Sequence, residues 1–312
     1  MYAIGVDIGG MSIKVGLVKG GKILEQNRMK TAGTASECIN NLATQINELL
    51  KNNSVSVTEL KGIGIGCPGA VTRETGVVEF LPNLGWNKVP LAKELKKHFD
   101  VEIVLSNDAN VAALAETVYG CAKDYSSSIM FTLGTGVGGG IVIDNKLYEG
   151  GWSRGAELGH VTLFADGIKC SCGRQGCVEC YTSATALINQ TKQAMMNDKS
   201  SRMWDFVDGD IEKTDGRTAF ECEKQGDATA KKVIDTYVMY LGESVLNMLN
   251  IFRPEAFILG GGVSAQGKNL SDRIVKYCEQ YEYGYKDAPK TKILTATLGN
   301  DAGIIGAATL LD

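Results

Sequence analysis

The sequence predicts a mixed α/β protein built from two related halves. Three glycine-rich turns, each after a short apolar strand, occupy residues 7–10, 134–140 and 260–262. A weak internal repeat relates the strand and turn of residues 4–10 to those of residues 129–135. Two related α/β halves would leave a cleft, where ligands commonly bind. Any two glycine-rich hairpins look alike, however, so the repeat alone leaves both interpretations open.

The composition excludes several classes of protein. Of the 312 residues, 44% are hydrophobic and 22% are charged, with a net charge of −4, as in ordinary globular proteins. No block of Lys and Arg indicates a nucleic-acid surface, and no apolar run is long enough to span a membrane. The N-terminus lacks the pattern of a signal peptide. We therefore expect a cytoplasmic protein without nucleic-acid or membrane partners, whose nine cysteines form no disulfides.

The first third of the chain predicts a β-hairpin followed by helices and buried strands. Residues 3–8 and 13–18 are apolar or alternate around a glycine turn, and a further short strand follows. Apolar residues at helical spacing predict a helix over residues 36–50, with Ser36 as its N-cap. Residues 62–66 and 101–105 have the pattern of buried strands.

The remaining residues predict further alternation of helices and strands. Helices are expected over residues 91–99, 111–119, 183–196, 227–252, 268–281 and 301–311. Pro254 ends the longest of them, because proline cannot continue a helix. Strands are expected at residues 256–259 and 293–298. No Pro-rich or Ser-rich linker is present, so we expect structured connections between the domains.

The three glycine turns suit a nucleotide. Glycine lets backbone N–H groups face phosphate oxygens, and Asp7 at a strand end can hold Mg²⁺. The second turn forms a wider cradle in which Thr135 adds a hydroxyl, and the third could lie against a base or ribose. Neither a Walker A loop nor a Rossmann fingerprint fits the second turn. One such turn is commonly a simple hairpin, but three in one chain indicate a phosphate site.

Asp108 is the candidate catalytic carboxylate. It lies between a predicted strand and an alanine-rich helix, where the helix dipole favours its ionised form. A carboxylate in this position can accept the proton of an attacking hydroxyl. Asn and Asp are also the usual helix caps, so the local pattern alone leaves both roles open.

The spacing of His160, Cys170, Cys172 and Cys177 predicts a tetrahedral structural zinc site with no open coordination position. The alternative, three free thiols in a loop, fits the tight spacing less well. The metal would hold the loop that carries Glu157 and Glu179, while Cys180 is left over. The other histidine, His98, is expected at the surface.

These motifs, in this order, resemble the ROK family of repressors and sugar kinases, within the hexokinase, Hsp70 and actin superfamily. The resemblance covers essentially the whole chain. Its most specific parts are Glu157-Leu-Gly-His160 and the Cys-x-Cys-Gly-x-x-Gly-Cys-x-Glu run that ends at Glu179. Supporting parts are the sequences Gly66-Cys-Pro-Gly69, Pro82-Asn-Leu-Gly-Trp86 and Asn107-Asp108.

The resemblance implies a two-domain, actin-like ATPase fold of the ribonuclease H-like class, with an interdomain cleft. Residues 1–115 would form a small N-terminal domain, against which a C-terminal helix near residues 300–312 packs. Residues 116–299 would form a large domain that contains the zinc loop. Members of the family are commonly homodimers or homotetramers.

The resemblance also implies an ATP-dependent kinase for the 6-hydroxyl of glucose, with Asp108 as the general base. The residues that it implies for the hexose are Gly69, Asn83, Asn107, Asp108, Glu157, His160 and Glu179. Those for the ATP phosphates with Mg²⁺ are Asp7, Gly9, Gly10, Met11, Ser12, Gly134, Thr135, Gly136 and Gly138, and those for adenosine are Gly260, Gly261 and Gly262. His160 would also bind Zn²⁺. The family usually has Thr where this chain has Met11.

Three other functions are considered. N-acetylmannosamine, N-acetylglucosamine, allose or fructose could replace glucose, since the implied contacts reach hydroxyls that many hexoses share. A sugar-sensing ROK repressor would carry a helix-turn-helix domain, for which the start of the phosphate turn at Asp7 leaves no room. An inactive actin-like scaffold would not need Asp108 and the sugar-contacting residues.

Overall fold

The computed structural model describes residues 1–31, 33–81, 84–284 and 288–312. Its contacts divide the chain into two compact units. The first unit contains residues 1–128, 140–156 and 297–312, and the second contains residues 129–139 and 157–296. Each unit is therefore assembled from separate stretches of the chain.

The described residues form the following strands: β1 Tyr2–Ile8, β2 Ser12–Lys19, β3 Lys22–Lys30, β4 Leu60–Cys67, β5 Ala70–Thr72, β6 Val77–Leu81, β7 Trp86–Val89, β8 Glu102–Asn107, β9 Ser128–Leu133, β10 Val137–Ile143, β11 Lys146–Leu147, β12 Ala256–Gly260 and β13 Lys292–Thr295. They form the following α-helices: α1 Ala35–Asn52, α2 Leu91–Lys96, α3 Asp108–Val118, α4 Glu179–Thr182, α5 Ala184–Asn197, α6 Met203–Phe206, α7 Thr218–Lys224, α8 Ala228–Phe252, α9 Lys268–Tyr281 and α10 Ala302–Thr309.

The two five-stranded sheets have the same strand order. The first sheet is ordered β3-β2-β1-β4-β8, and the second is ordered β11-β10-β9-β12-β13. In the first sheet, β1, β2 and β3 pair antiparallel, and β1, β4 and β8 pair parallel. In the second, β10 and β11 are antiparallel and β12 and β13 are parallel. This common order confirms that the weak sequence repeat reflects two related halves.

Alternating burial explains the N-terminal hairpin. Ile13, Val15 and Leu17 of β2 are almost fully buried, whereas Ser12 and Lys14, at the alternate positions near the start of the strand, are partly exposed. Because successive strand residues point to opposite faces, the sheet buries one face of β2 in the core and leaves Ser12 and Lys14 on the other. The predicted hairpin is confirmed.

The helix after the hairpin is amphipathic. Its apolar residues Ile39, Leu42, Ile46 and Leu49 recur every three or four positions and are all buried. The prediction of Ser36 as N-cap is wrong. Thr34 is the cap, since its hydroxyl accepts from the Glu37 N–H and the Glu37 carboxylate accepts from the Thr34 N–H, a reciprocal capping box.

Other predicted boundaries shift by a few residues. The helix expected from residue 111 begins at Asp108, because Asn107 caps it. The helix expected to reach residue 99 ends at Lys96, and His98 beyond it is exposed, as expected. The strand expected to reach residue 298 ends at Thr295. The boundary suggested between residues 115 and 116 falls inside α3.

A small antiparallel sheet, ordered β5-β6-β7, was missed. Its strands are three to five residues long and partly exposed, so they lack a run of apolar residues. It follows the turn at Gly69. Within the part of the chain that the structure describes, no helix has the length and apolar character needed to cross a membrane.

Candidate active site

In the first unit, the end of β8 presents two of the predicted site residues. Asn107 caps α3, since its Oδ1 accepts a hydrogen bond from Ala109 N at 2.9 Å. Its Nδ2 donates to the carbonyl oxygen of Gly69 at 3.2 Å. Asp108 is exposed in the first turn of α3 and accepts from Ala109 N with Oδ1 at 2.9 Å. Gly69, Asn107 and Asp108 are therefore neighbours.

The charge of Asp108 acts on a neighbouring thiol. Burial, and then the negative charge of Asp108, raise the pKa of Cys67 to about 12. Cys67 is therefore a neutral thiol at physiological pH, and we assign it no nucleophilic role.

A buried polar network, absent from our sequence predictions, supports the end of β8. Ser106, which is fully buried, donates to Glu149 Oε1 at 2.6 Å. Arg73 Nη1 donates to Glu149 Oε2 at 2.9 Å. The network ties the segment before Asn107 to the turn after β5 and to residues that follow β11. The sequence signal for this network was Ser106, two positions before the candidate base Asp108. Its partner Glu149 is 43 positions away, so the sequence alone could not pair them.

The turn at residues 7–10 is held by side chains from β2 and beyond. Asp7 Oδ2 accepts from Lys14 Nζ at 3.0 Å, a contact that our sequence predictions missed. Thr31 Oγ1 donates to Gly9 O at 3.0 Å, and Ser12 Oγ accepts from Arg28 Nε at 3.0 Å. The Met11 side chain extends from this turn and is 86% exposed. The predicted residues of this turn therefore stay together in the first unit.

In the second unit, the turn between β9 and β10 contacts Glu179. The Glu179 carboxylate accepts from Val137 N with Oε2 at 2.9 Å. A Cβ on Gly136 would lie 2.2 Å from the same oxygen, so only glycine allows this approach. A Cβ on Gly134 would meet no atom within 4 Å. The turn thus presents open backbone on one side and is joined to a candidate sugar-binding carboxylate on the other.

The start of α5 supports the same turn. Ala184 N donates to Gly134 O at 2.8 Å, and Thr185 Oγ1 donates to Thr135 O at 2.8 Å. A cavity of about 1010 Å³ opens beside Thr135 and Glu179 and runs between one face of α5 and one face of α8. The third glycine turn, residues 260–262, follows β12 in this unit, and a Cβ on Gly262 would also meet open space.

The Cys₃His cluster, which we define as His160, Cys170, Cys172 and Cys177, is assembled as predicted. Its four ligand atoms all lie within 4.8 Å of one another. His160 Nδ1 is 3.7 Å from Cys170 Sγ, and Cys172 Sγ is 3.6 Å from Cys177 Sγ. Thiolates bound tetrahedrally to zinc lie about 3.8 Å apart, because the Zn–S bond is about 2.3 Å long. The donor set and its spacing therefore fit zinc.

The thiols of this cluster have unequal acidities. Burial opposes ionisation of Cys170, but hydrogen bonds from Cys172, Cys177 and His160 outweigh it and lower the pKa of Cys170 to about 6. Burial, together with neighbouring sulfur atoms, raises the pKa of Cys177 to about 12. One thiolate is thus already favoured, and a bound cation would favour ionisation of the others.

The remaining predicted residues lie as follows. Glu157 is exposed and immediately precedes the short 3₁₀ turn Leu158–His160, in which His160 N donates to Glu157 O at 3.0 Å. Asn83 lies outside the described residues. Glu157, His160 and Glu179 belong to the second unit, whereas Gly69, Asn107 and Asp108 belong to the first.

Comparisons with known proteins agree with one another. A model of the ROK family matches residues 3–312. A glucokinase of Thermotoga maritima is 36% identical over 316 residues, which cover 99% of this chain and 96% of the relative. A xylose repressor of Caldicellulosiruptor bescii is 32% identical over 286 residues, 90% of this chain and 70% of the repressor. The crystal structure of a ROK family glucokinase from Streptomyces griseus, in complex with glucose and AMPPNP, is 34% identical with a TM-score of 0.81 and 99% coverage of both chains.

Proposed function

Because the chain belongs to the ROK family, we propose that it is an ATP-dependent glucose kinase that uses Asp108 as general base on the 6-hydroxyl. The observation that carries the proposal is its likeness, over nearly the full length, to glucokinases that include one solved with glucose and an ATP analogue. The two-domain actin-like ATPase fold of the family is the framework for this reaction.

The local geometry supports the role of Asp108. Its carboxylate is exposed, so a hydroxyl can approach it, while its backbone is fixed by the Asn107 cap. The N-terminus of α3 favours its ionised form, which is the form that accepts a proton. We propose that Asn107 and the Gly69 turn bind the sugar beside it, together with Asn83, Glu157, His160 and Glu179.

Phosphoryl transfer requires positioning and neutralisation of charge more than covalent chemistry. The glycine turns after β1 and β9 would supply backbone donors to the ATP phosphates, and the turn after β12 would bind adenosine. Asp7 would hold Mg²⁺ beside the phosphates, and the bound ion would neutralise part of their charge. We propose that the Cys₃His cluster binds Zn²⁺ and fixes the loop from His160 to Glu179. We place the enzyme in the cytoplasm, where ATP is available. We propose that it forms a homodimer or a homotetramer.

A coupled assay of ADP release across a panel of hexoses tests the proposal. We expect the highest kcat/KM with glucose and lower values with N-acetylmannosamine, N-acetylglucosamine, allose and fructose. A higher kcat/KM with an N-acetylated hexose than with glucose would show that the N-acetylated hexose is the substrate. Binding of sugar without ADP release from any hexose would instead favour the sugar-sensing function of the repressor relatives.

A further inference from the structure

We propose that the indole ring of Trp152 stacks on the ring of the bound hexose, as a sugar-contacting residue that our sequence predictions missed. The inference rests on the proposed kinase function and adds an aromatic contact to its sugar site. It starts from the loop that follows β11, residues 149–155, in which Trp152 is 81% exposed. This loop belongs to the same unit as Gly69 and Asp108.

The base of the loop is fixed at the strand that leads to the proposed general base. A backbone hydrogen bond of 2.7 Å from Gly155 N to Glu149 O closes the loop. The Glu149 side chain is only 9% exposed and accepts from Ser106 Oγ at 2.6 Å. Ser106 lies in β8, two residues before Asp108. The loop that carries the indole therefore begins beside the end of β8.

The tip of the loop has a second anchor. Ser153 Oγ accepts from Arg73 N at 3.2 Å and donates to Glu74 Oε2 at 3.3 Å. These two partners directly follow β5, the strand that begins after Gly69, and the short 3₁₀ turn of the loop also contacts β5. The loop is thus attached to β8 and β5, the strands next to the proposed sugar-binding residues Asn107 and Gly69.

The backbone of the loop is strained where it carries the indole. Trp152 has a φ of 56° and a ψ of 29°, and Ser153 has a φ of 55°. A bulky residue with positive φ is an outlier, because its Cβ crowds the carbonyl oxygen, and such outliers cluster at ligand sites. Exposure of the large apolar ring to water costs further free energy. A ligand that covers the ring would recover this hydrophobic contribution.

The chemistry of a hexose suits such a contact. A pyranose carries hydroxyls around its rim, and in β-glucose every ring substituent is equatorial, so both faces present only C–H hydrogens. The π electrons give the face of an aromatic ring a partial negative charge, which attracts these slightly positive hydrogens. Asn107 and Asp108 would bind hydroxyls at the rim, which leaves the faces of the sugar without a partner. Trp152 supplies the apolar contact that these polar residues cannot.

Intrinsic fluorescence tests the contact directly. The chain has three tryptophans, of which Trp86 is buried and Trp204 is partly buried, so collisional quenching by acrylamide reports mainly on Trp152. We expect saturating glucose, without nucleotide, to lower the quenching constant and to shift the emission to shorter wavelength. Trp152→Phe should abolish both changes. Unchanged quenching in wild-type protein that binds glucose by calorimetry overturns the inference.

Glucose affinity tests the contribution of the ring. The test variant is Trp152→Ala, and the matched control is Tyr283→Ala, which removes an aromatic side chain that is 84% exposed in the second unit. We expect Trp152→Ala to weaken glucose binding by about 5- to 30-fold, which is about 1–2 kcal/mol at 1.4 kcal/mol for each factor of ten. Mg-AMPPNP affinity should not change, Trp152→Phe should keep most of the glucose affinity, and the control should match wild type.

Trp152→Gly separates the ring from the loop that carries it. Glycine removes the ring but adopts positive φ without strain. This variant should lose glucose affinity as Trp152→Ala does, while its unfolding temperature is no lower than that of Trp152→Ala.

The remaining outcomes are equally decisive. Unchanged glucose affinity in Trp152→Ala overturns the inference. Equal losses of glucose affinity, AMPPNP affinity and thermal stability in the Ala and Gly variants also overturn it, since they would indicate a merely structural loop. If glucose protects Trp152 from the quencher but no hexose gives ADP release, the inference holds and the proposed kinase function fails.

Discussion

Replacement of Asp108, the proposed general base, by Asn should lower turnover strongly while the protein stays folded. Asn has almost the same shape but cannot accept the hydroxyl proton at neutral pH. We expect turnover to fall by about 10²–10⁴-fold, the usual effect of losing a general base. This loss equals about 2.7–5.4 kcal/mol of activation free energy, at 1.36 kcal/mol for each factor of ten.

The structural cost of the same change is much smaller. An Asn at position 108 keeps a side-chain oxygen that can accept from Ala109 N, as Asp108 Oδ1 does at 2.9 Å. The cap of α3 belongs to Asn107 and is untouched. The exposed side chain also loses its favourable interaction with the helix dipole, worth about 0.3–1 kcal/mol. A stability loss of this size would change the folded fraction of the protein far less than the expected loss of turnover.

Three measurements test this expectation. A coupled ADP assay gives kcat, calorimetry gives glucose affinity, and thermal unfolding gives stability. The control is Asp100→Asn, which removes another exposed carboxylate, ahead of β8. Asp108→Asn should bind glucose with an affinity close to wild type and unfold within a few degrees of it. A kcat within about threefold of wild type would refute the role of Asp108 as general base.

Three further predictions concern the supports of the site. Gly136→Ala should weaken glucose binding about tenfold or more, because the new Cβ would lie 2.2 Å from Glu179 Oε2. Calorimetry measures the glucose affinity. The control is Gly216→Ala, where a Cβ meets open space. An unchanged affinity would show that Glu179 does not contact sugar. Glu116→Ala should destabilise the protein by about 3 kcal/mol or more in urea, because the fully buried carboxylate accepts from the N–H groups of Cys121, Thr297 and Leu298, and each unsatisfied group costs about 1–3 kcal/mol. A loss below about 1 kcal/mol would contradict this reasoning. Removal of metal by a chelator should lower both thermal stability and glucose affinity; elemental analysis that finds no zinc in the purified protein would exclude the Cys₃His cluster as a zinc site.

The sequence predicted those parts of the site that are local in the chain. Asn107 and Asp108 are adjacent, and the thiols of the Cys₃His cluster lie within eight residues, so their spacing carries the information. The cap of α1 was assigned wrongly, to Ser36 in place of Thr34, because neighbouring hydroxyl residues offer the same chemistry and only the reciprocal bond to Glu37 distinguishes them.

Contacts between distant residues could not be predicted in this way. Ser106 and Glu149 are 43 positions apart, and Glu116 and Thr297 are 181 apart. A carboxylate inside an alanine-rich helix looks like a solvent-exposed residue until the fold brings Thr297 against it. Such pairings depend on tertiary packing, which leaves no periodic or motif signal in a single sequence.

The related halves explain why scaffold and chemistry differ in how well they can be predicted. Both sheets share one strand order, so the repeated pattern of apolar strands and glycine turns is sufficient to indicate both. The turn after β1 is faced by the ion pair of Asp7 and Lys14, whereas the turn after β9 is faced by Glu179. The same backbone shape thus receives a cation in one half and a carboxylate in the other. Because the repeat preserves backbone geometry and not these side chains, chemical roles must be assigned to each turn separately, and the Gly136→Ala variant tests the role of the second turn alone.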